Sequence, residues 1–439
     1  SWFDEINPNV IYVMAEMRQE TDYVKHHIQK VAAFFLSMRN FSDEIAKTGH
    51  KVDYYKISDP TNPQKLDMVI FQCIEKHQID TFEYQLPDEY RLDQQLRLIC
   101  KSLSISTKAI DSEHFYTSRN ELSDFFNGKK QLLMESFYRM MRKKHSVLMI
   151  GEQPLGGKWN FDYTNRNKYK NEIPIPFPLN FQKDLCEIVH EIEQQSISTF
   201  GIIDAKKFNW PTTRKDSLEL IDYFCNHFLK HFGTYQDALY SGHTFLFHSR
   251  LSFAMNSKMI SPKEVIDKVT QYYFENQDDI ELAQVEGFVR QIIGWREYIR
   301  GIYWKEMPNY ANMNVLKNFG KLPEFYWTGK TKMKCMQHSI SQSLSESYAH
   351  HIQRLMVIGN FSLLAQLHPD ELDAWYLGVY IDAIEWVEMP NTRGMSQYAD
   401  GGIVATKPYV SSGSYFNKMS DYCGNCHYNV KDKLGEIAC

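Results

Sequence analysis

With 439 residues, the chain is too long for a single hydrophobic core and calls for two or three domains. A net charge of −5 argues against a protein that coats nucleic acid non-specifically, although a local basic stripe fits on an acidic body. The longest apolar runs, such as residues 31–38, stop well short of the roughly 18 a membrane span needs, and no signal-peptide pattern opens the sequence, so the protein is expected in the cytoplasm with no membrane partner.

VIYVMAEM at 10–17 predicts a strand, after which Thr21 and Asp22 are expected to cap a helix. Its apolar positions Ile28, Val31, Phe35, Met38, Phe41 and Ile45 keep i, i+3/i+4 spacing up to Gly49. Strands at 50–57, 80–86 and 106–111 then alternate with helices at 64–77 and 88–103. That order is the signature of a parallel sheet with helices on both faces. No G-x-G-x-x-G or G-x-x-x-x-G-K-[ST] follows these strands, so neither a standard dinucleotide site nor a P-loop is predicted. From 115 to 178 the pattern loosens. RMMRKK at 139–144 and GGKWNFDYTNRNKYK at 156–170 interleave cations with rings, which suits a nucleic-acid backbone with splayed bases and equally a solvated linker. Beyond about Asp184 helical periods dominate, at 217–232, 262–276, 281–303, 342–367 and 369–386, and predict an all-helical second half.

The last third concentrates residues that carry chemistry. Of eight cysteines, Cys73, Cys100, Cys186 and Cys225 fall in predicted helices without a spacing motif, as buried free thiols often do. Disulfides are not expected in a reducing compartment. Cys423 and Cys426 form a C-x-x-C, with Cys439 thirteen residues on and Cys335 far upstream. Four thiolates suit tetrahedral zinc or an iron–sulfur cluster, with His427 able to replace one sulfur at zinc; unconnected cysteines are the plain alternative. His350 and His351 fall in a predicted helix, where neighbours point about 100° apart, so one is expected to face a pocket. A histidine there suits general acid work near neutral pH, although a satisfied core or surface histidine is the commoner role. Trp295, Trp304, Trp327, Trp375 and Trp386 read as core or groove residues, and an electron-hopping chain would need such rings in near contact. His248, Ser249, Arg250, Leu251 and Ser252 precede a helix and offer hydroxyls and amides for a phosphate, or simple capping.

Taken together, the stretches AEMRQETDYVKHHIQK, GEQPLGGKWNFD, VEGFVRQIIGWREYIRGIYW, FYWTGKTKMKCM, AHHIQRLMVIGNF, EWVEMPNTRGMSQYADGG, TKPY and MSDYCGNC, with Cys439, resemble the iron–sulfur bacterial cryptochromes and photolyases. These form the prokaryotic (6-4) photolyase branch of the photolyase/cryptochrome superfamily, and the matches run along nearly the whole chain. The resemblance implies an α/β plus all-α fold: a Rossmann-like parallel-sheet antenna domain at 1–114, a connector at 115–183, and a helical domain at 184–439 holding FAD and a [4Fe-4S] cluster. It implies a monomeric (6-4) DNA photolyase, a carbon–carbon lyase acting on UV-damaged single- or double-stranded DNA. A blue-light cryptochrome without repair activity is the alternative.

Residue by residue, Cys335, Cys423, Cys426 and Cys439 fall on the family's cluster ligands, which favours iron–sulfur over zinc. His248, Ser249, Leu251 and Ser252 resemble the flavin phosphate loop, and Gln291 and Arg296 lie on the flavin-side helix. Arg354, Asp382 and Glu388 match positions around the isoalloxazine, with Glu388 facing N5. Trp327, Trp375 and Tyr376 match the photoreduction chain. His350, His351, Met395, Tyr409 and Tyr415 match the lesion pocket, with His351 as proton donor and His350 as its support. Glu20 matches a contact of a 6,7-dimethyl-8-ribityllumazine antenna, and a divalent cation is a further cofactor the sequence leaves open. Family members open with a strand and a Gly-Asp-Gln-Leu turn and continue past the last cysteine, so further residues are expected at both ends of this sequence.

Overall fold

In the computed structural model, which describes residues 2–439, the first apolar stretch forms the strand Ile11–Ala15. It pairs in parallel with Lys51–Tyr55, Tyr12 opposite Val52. A second parallel pair joins Thr81–Gln85 to Ser106–Ile110. Among the described residues these pairs are not joined into the single sheet expected. Central parallel strands are covered on both faces and need near-continuous apolar runs. TFEYQ and STKAI lack that, and their polar side chains stay exposed.

The long helix Ile28–Lys47 starts at His27, whose ring accepts from the Gln29 amide at 3.1 Å. Thr21 and Asp22 are not its cap. They belong to a separate short helix, Arg18–Asp22, where the Thr21 hydroxyl is spent on Asp22 at 2.8 Å. At the end of the first strand, Glu16 is fully buried. It accepts from Arg39 at 2.7 and 3.0 Å, from the Tyr54 hydroxyl at 2.7 Å and from the Ile57 amide at 2.8 Å. A buried carboxylate costs several kcal/mol unless so paired.

Arg39 also reaches Glu191 at 2.5 Å, and His26–His27 pairs in parallel with Thr199–Phe200. One compact unit is therefore Ser1–Ser112 with Asn180–Ser217, and the other is Glu113–Leu179 with Leu218–Cys439. This division differs from the expected one at 1–114, 115–183 and 184–439: the chain leaves the first unit and later comes back to it.

The second unit is mainly helical. Pro262–Glu275 opens with a capping box, Ser261 accepting from the Glu264 amide while Glu264 accepts from the Ser261 amide. One core cluster gathers Leu122, Phe126, Phe137, Met141, Tyr298, Ile299, Ile302, Tyr310 and Val404. Two expected helices are broken. Lys334–Glu346 ends at Ser347, which has φ +53°, and the chain turns helical again only after His350. Pro369–Val379 is separated from Glu385–Met389 by an irregular stretch at 380–384. Among the described residues three π-helical turns occur: Arg290–Arg296 inside the helical run 282–306, Gln353–Gly359 after the first break, and Pro390–Ser396 after Glu385–Met389. Among the described residues no helix is long and apolar enough to cross a membrane.

Candidate functional site

Arg354, in the turn Gln353–Gly359, forms a two-pronged ion pair with Asp382, Nη1 to Oδ1 at 2.9 Å and Nη2 to Oδ2 at 3.2 Å. Asp382 occupies the break after Val379, so its carboxylate and main chain are both free of helix bonding. Ser252 Oγ donates to Asp382 Oδ2 at 2.6 Å, and Asn256 Nδ2 donates to its carbonyl at 2.7 Å. Arg296 Nη2 reaches Asn256 Oδ1 at 3.5 Å while its guanidinium lies over Trp386 at 4.9 Å. Tyr380 supports the Arg354 guanidinium at 3.9 Å, and the Tyr376 hydroxyl donates to the Arg354 carbonyl at 2.6 Å. Predicted residues Ser252, Arg296, Arg354, Tyr376 and Asp382 thus form one bonded patch, joined by Asn256 and Tyr380, which carried no sequence signal.

Glu388 is buried and accepts from Thr392 Oγ1 at 2.5 Å. Burial, and then the neighbouring Asp373, holds its carboxyl well above the usual carboxylate range.

His248 lies beside the paired histidines. Its ring stacks on His350 at 4.9 Å and 13° and meets His351 edge-on at 5.7 Å. One nitrogen from each of the three lies within 4.8 Å of the others. His248 Nε2 and His350 Nδ1 are buried without a hydrogen-bond partner among the described residues. Burial first, then the neighbouring positive groups, lowers His248 to about 3 and puts His350 well below its ordinary value. His351 is different: half-exposed, it places Nε2 3.0 Å from Asp237 Oδ1.

Asp237 in turn faces Arg166 at 4.0 Å, Arg166 pairs with Asp162, and Asp162 accepts from Arg290 at 2.6 Å. Burial raises the phenols of Tyr409 and Tyr415, Tyr415 to about 12, with Asp237 adding to the rise and Arg166 opposing it. The structure therefore brings His351, Tyr409 and Tyr415 to one charged cluster. Asp162, Arg166 and Asp237 were missed. The i, i+4 spacing of Asp162 and Arg166 inside the basic aromatic stretch was the available signal.

Other predicted residues lie elsewhere. Met395 packs against the core cluster around Phe137 and Tyr298. Gln291 donates back to the Gly287 carbonyl at 3.4 Å, and Leu251 donates to Ser249 Oγ at 3.4 Å within its own loop. Glu20, in the other unit, holds Arg91 at 2.7 and 3.1 Å. Trp375 is buried, its Nε1 donating to the Tyr326 carbonyl at 3.1 Å, with its ring 5.2 Å from Tyr326 and 5.4 Å from Tyr376. Trp327, next to Tyr326, is exposed.

The four cysteines of the last third converge. Burial raises the Cys335 thiol to about 12, and Cys426, Cys439 and Cys423 add to it as like-charged neighbours. The Lys334 amide points at Cys426 Sγ at 3.4 Å, and none of the thiols is in a disulfide. Four soft donors from two segments, with an amide directed at one sulfur, are the donor set a sulfur-ligated centre would use. His427 packs instead on Tyr428.

With this geometry in place, the relatives are informative. The (6-4) photolyase of Agrobacterium fabrum is 41% identical over 429 residues, 97% of this chain and 84% of that protein. Residues 1–210 match the family model described as deoxyribodipyrimidine photo-lyase-related protein. An uncharacterised protein of Acanthamoeba polyphaga mimivirus is 34% identical over 113 residues, 25% of this chain and 82% of that protein. In fold the chain is similar to a bacterial class III photolyase from Agrobacterium tumefaciens, with a TM-score of 0.61 at 12% identity over 91% of this chain and 75% of that one. It is similar also to the cryptochrome of Synechocystis sp. PCC6803, with a TM-score of 0.60 at 15% identity over 97% of this chain and 84% of that one. Identity of 41% over 97% of the chain and 84% of the Agrobacterium fabrum protein makes the chain a member of the (6-4) photolyase family.

Proposed function

We propose that the protein uses light to repair (6-4) pyrimidine–pyrimidone photoproducts in DNA. The observation that carries this reading is the division of labour between two adjacent imidazoles. His350 is buried and held neutral, whereas His351 is open to solvent with Asp237 on Nε2. Only the second is placed to take up and hand over a proton; its Nδ1 is the atom left to face a substrate. Tyr409 and Tyr415 border the same charged cluster and offer rings to a base turned out of the duplex.

The residues present fit FAD. A buried Arg354–Asp382 pair, a buried Glu388 and an imidazole nitrogen on His248 without a partner among the described residues make a polar cradle of a kind a plain core would not keep. Bound there, a reduced flavin supplies the excited electron, which is the hard chemistry of the reaction. Ser252, Arg296, Arg354 and Asp382 would orient it, and Glu388 would face its ring. Trp375, Tyr376 and Trp327 would feed electrons inward, a role supported by the contact of Trp375 with Tyr376 and with the segment that carries Trp327. Cys335, Cys423, Cys426 and Cys439 would hold a [4Fe-4S] cluster. The 6,7-dimethyl-8-ribityllumazine antenna rests on Glu20 alone.

The test is His351→Ala. Repair of a defined (6-4) lesion under blue light should collapse by 100-fold or more, on the order expected for a lost general acid, while flavin absorbance is retained. Undiminished repair would remove His351 from the mechanism.

A further inference from the structure

His350 is held by a pair of buried amides. Its peptide N–H donates to Gln353 Oε1 at 3.1 Å. Gln353 Nε2 donates to Gln342 Oε1 at 3.0 Å, and Gln342 Nε2 returns a bond to Gln353 Oε1 at 3.1 Å. Gln342 also donates to the Tyr348 carbonyl at 3.3 Å, fixing the irregular backbone that leads into His350. From the other side, Gln353 Nε2 donates to the Tyr422 hydroxyl at 3.4 Å. Tyr422 directly precedes Cys423, and Gln342 shares the helix Lys334–Glu346 with Cys335.

Gln353 is 1% exposed, Tyr422 3% and Gln342 7%. A primary amide is a costly filler for dry interior, since a polar group buried without its bonds costs about 1–3 kcal/mol. Apolar residues would pack these three elements together without that burden. What the amides add is direction: they aim the peptide of His350 and tie it to both thiol-bearing segments.

We propose that Gln353 and Gln342 are positioning residues for the proton-transfer histidines, and that the four-thiol centre keeps His350, and through it His351, in register by way of Tyr422. This gives the cysteines a task in repair that needs no electron to pass through them. It rests on the repair reading above.

Gln353→Leu, Gln353→Glu and Tyr422→Phe test it in the flavin- and iron-loaded protein. Three quantities are followed: lesions repaired per absorbed photon across pH, iron and flavin content, and hydrogen exchange at 347–353. Gln353→Leu should lower repair about tenfold, the loss that one directed buried hydrogen bond produces, and displace its pH profile, with iron and flavin retained. Gln353→Glu keeps the acceptor for the His350 N–H and should restore most of the repair. Tyr422→Phe should speed exchange at 347–353 while Leu282–Val289 stays protected. A Gln353→Leu profile that overlays that of the unsubstituted protein would overturn the proposal. If that variant does not fold, unchanged exchange in Tyr422→Phe would overturn it. His350→Ala separates the two readings. Full repair in that variant sinks the repair mechanism itself, whereas repair lost there but intact in Gln353→Leu sinks only the relay.

Discussion

Asp382 illustrates how a single side chain can be required on several counts. It balances the Arg354 guanidinium, receives Ser252, and offers its carbonyl to Asn256. Asp382→Asn would leave Arg354 wedged over Tyr380 without its counter-charge, and stranding one member of a buried pair costs about 3 kcal/mol or more. The expected result is a lower urea midpoint together with a reduced flavin-to-protein ratio after purification. Retention of both would show that the pair is dispensable. Much at this scale was legible beforehand: Arg354, Asp382, Ser252 and Arg296 were all singled out and all touch one patch. Asp237 and Gln353 were invisible, because their importance lies in what faces them across more than a hundred residues and across a helix break, respectively. A lone Asp or Gln in a polar stretch has no spacing that announces such a partner.

Among the elements, the departures from expectation cluster where the chemistry does. The periods at 342–367 and 369–386 run on through Ser347 and Tyr380 because both flanks of each break are buried, so apolar residues recur whether or not the helix continues. No proline marks either place, and Gly378 falls inside the last turn before the second. Two π turns, Gln353–Gly359 and Pro390–Ser396, come soon after these breaks, and such turns often mark functional sites. Gly359 closes one of them: a Cβ there would stand 2.1 Å from Ser396 Oγ in another. Gly359→Ala should therefore destabilise the helical unit by about 1–3 kcal/mol through overpacking, read as a shift in thermal unfolding. The double change Gly359→Ala with Ser396→Gly should recover part of it. A single variant as stable as the unsubstituted protein would show that the two turns can separate at little cost. The strands failed differently: TFEYQ alternates and STKAI does not, and neither has the apolar content of a sheet centre.

On the scale of the molecule, neutral buried imidazoles link stability to pH. His114 and His248 are lowered to about 2 and about 3, chiefly by burial, and His350 falls well below its ordinary value. Below pH 6.5 the unfolded chain takes up protons that the folded one refuses, so this part of the stability is complete above 6.5 and drains away as pH falls toward 3. The slope is about 1.4 kcal/mol per pH unit for each such histidine. Glu388 and Asp373, held above their usual range, act in the opposite sense over part of that window, since they lose stability as pH rises. The useful quantity is therefore the gap between the protein and His248→Asn, measured by urea unfolding at pH 7, 6 and 5. That gap should narrow as pH falls, and a gap independent of pH would contradict a neutral His248. What the sequence disclosed of the whole was the helical second half and the Cys-rich end, since metal-ligand spacing and helical period are both local. The membership of 180–217 was not local and went unread.

That returning segment also bears on how the protein is made. Glu191 and Phe200 complete the first unit around Arg39 and His27, so a ribosome must deliver residue 217 before that unit can close. Residues 113–179 emerge in the meantime and have to wait, or fold as an excursion from a half-finished neighbour. Cutting after residue 114 would leave a fragment with an open edge and a misplaced arginine, prone to clumping.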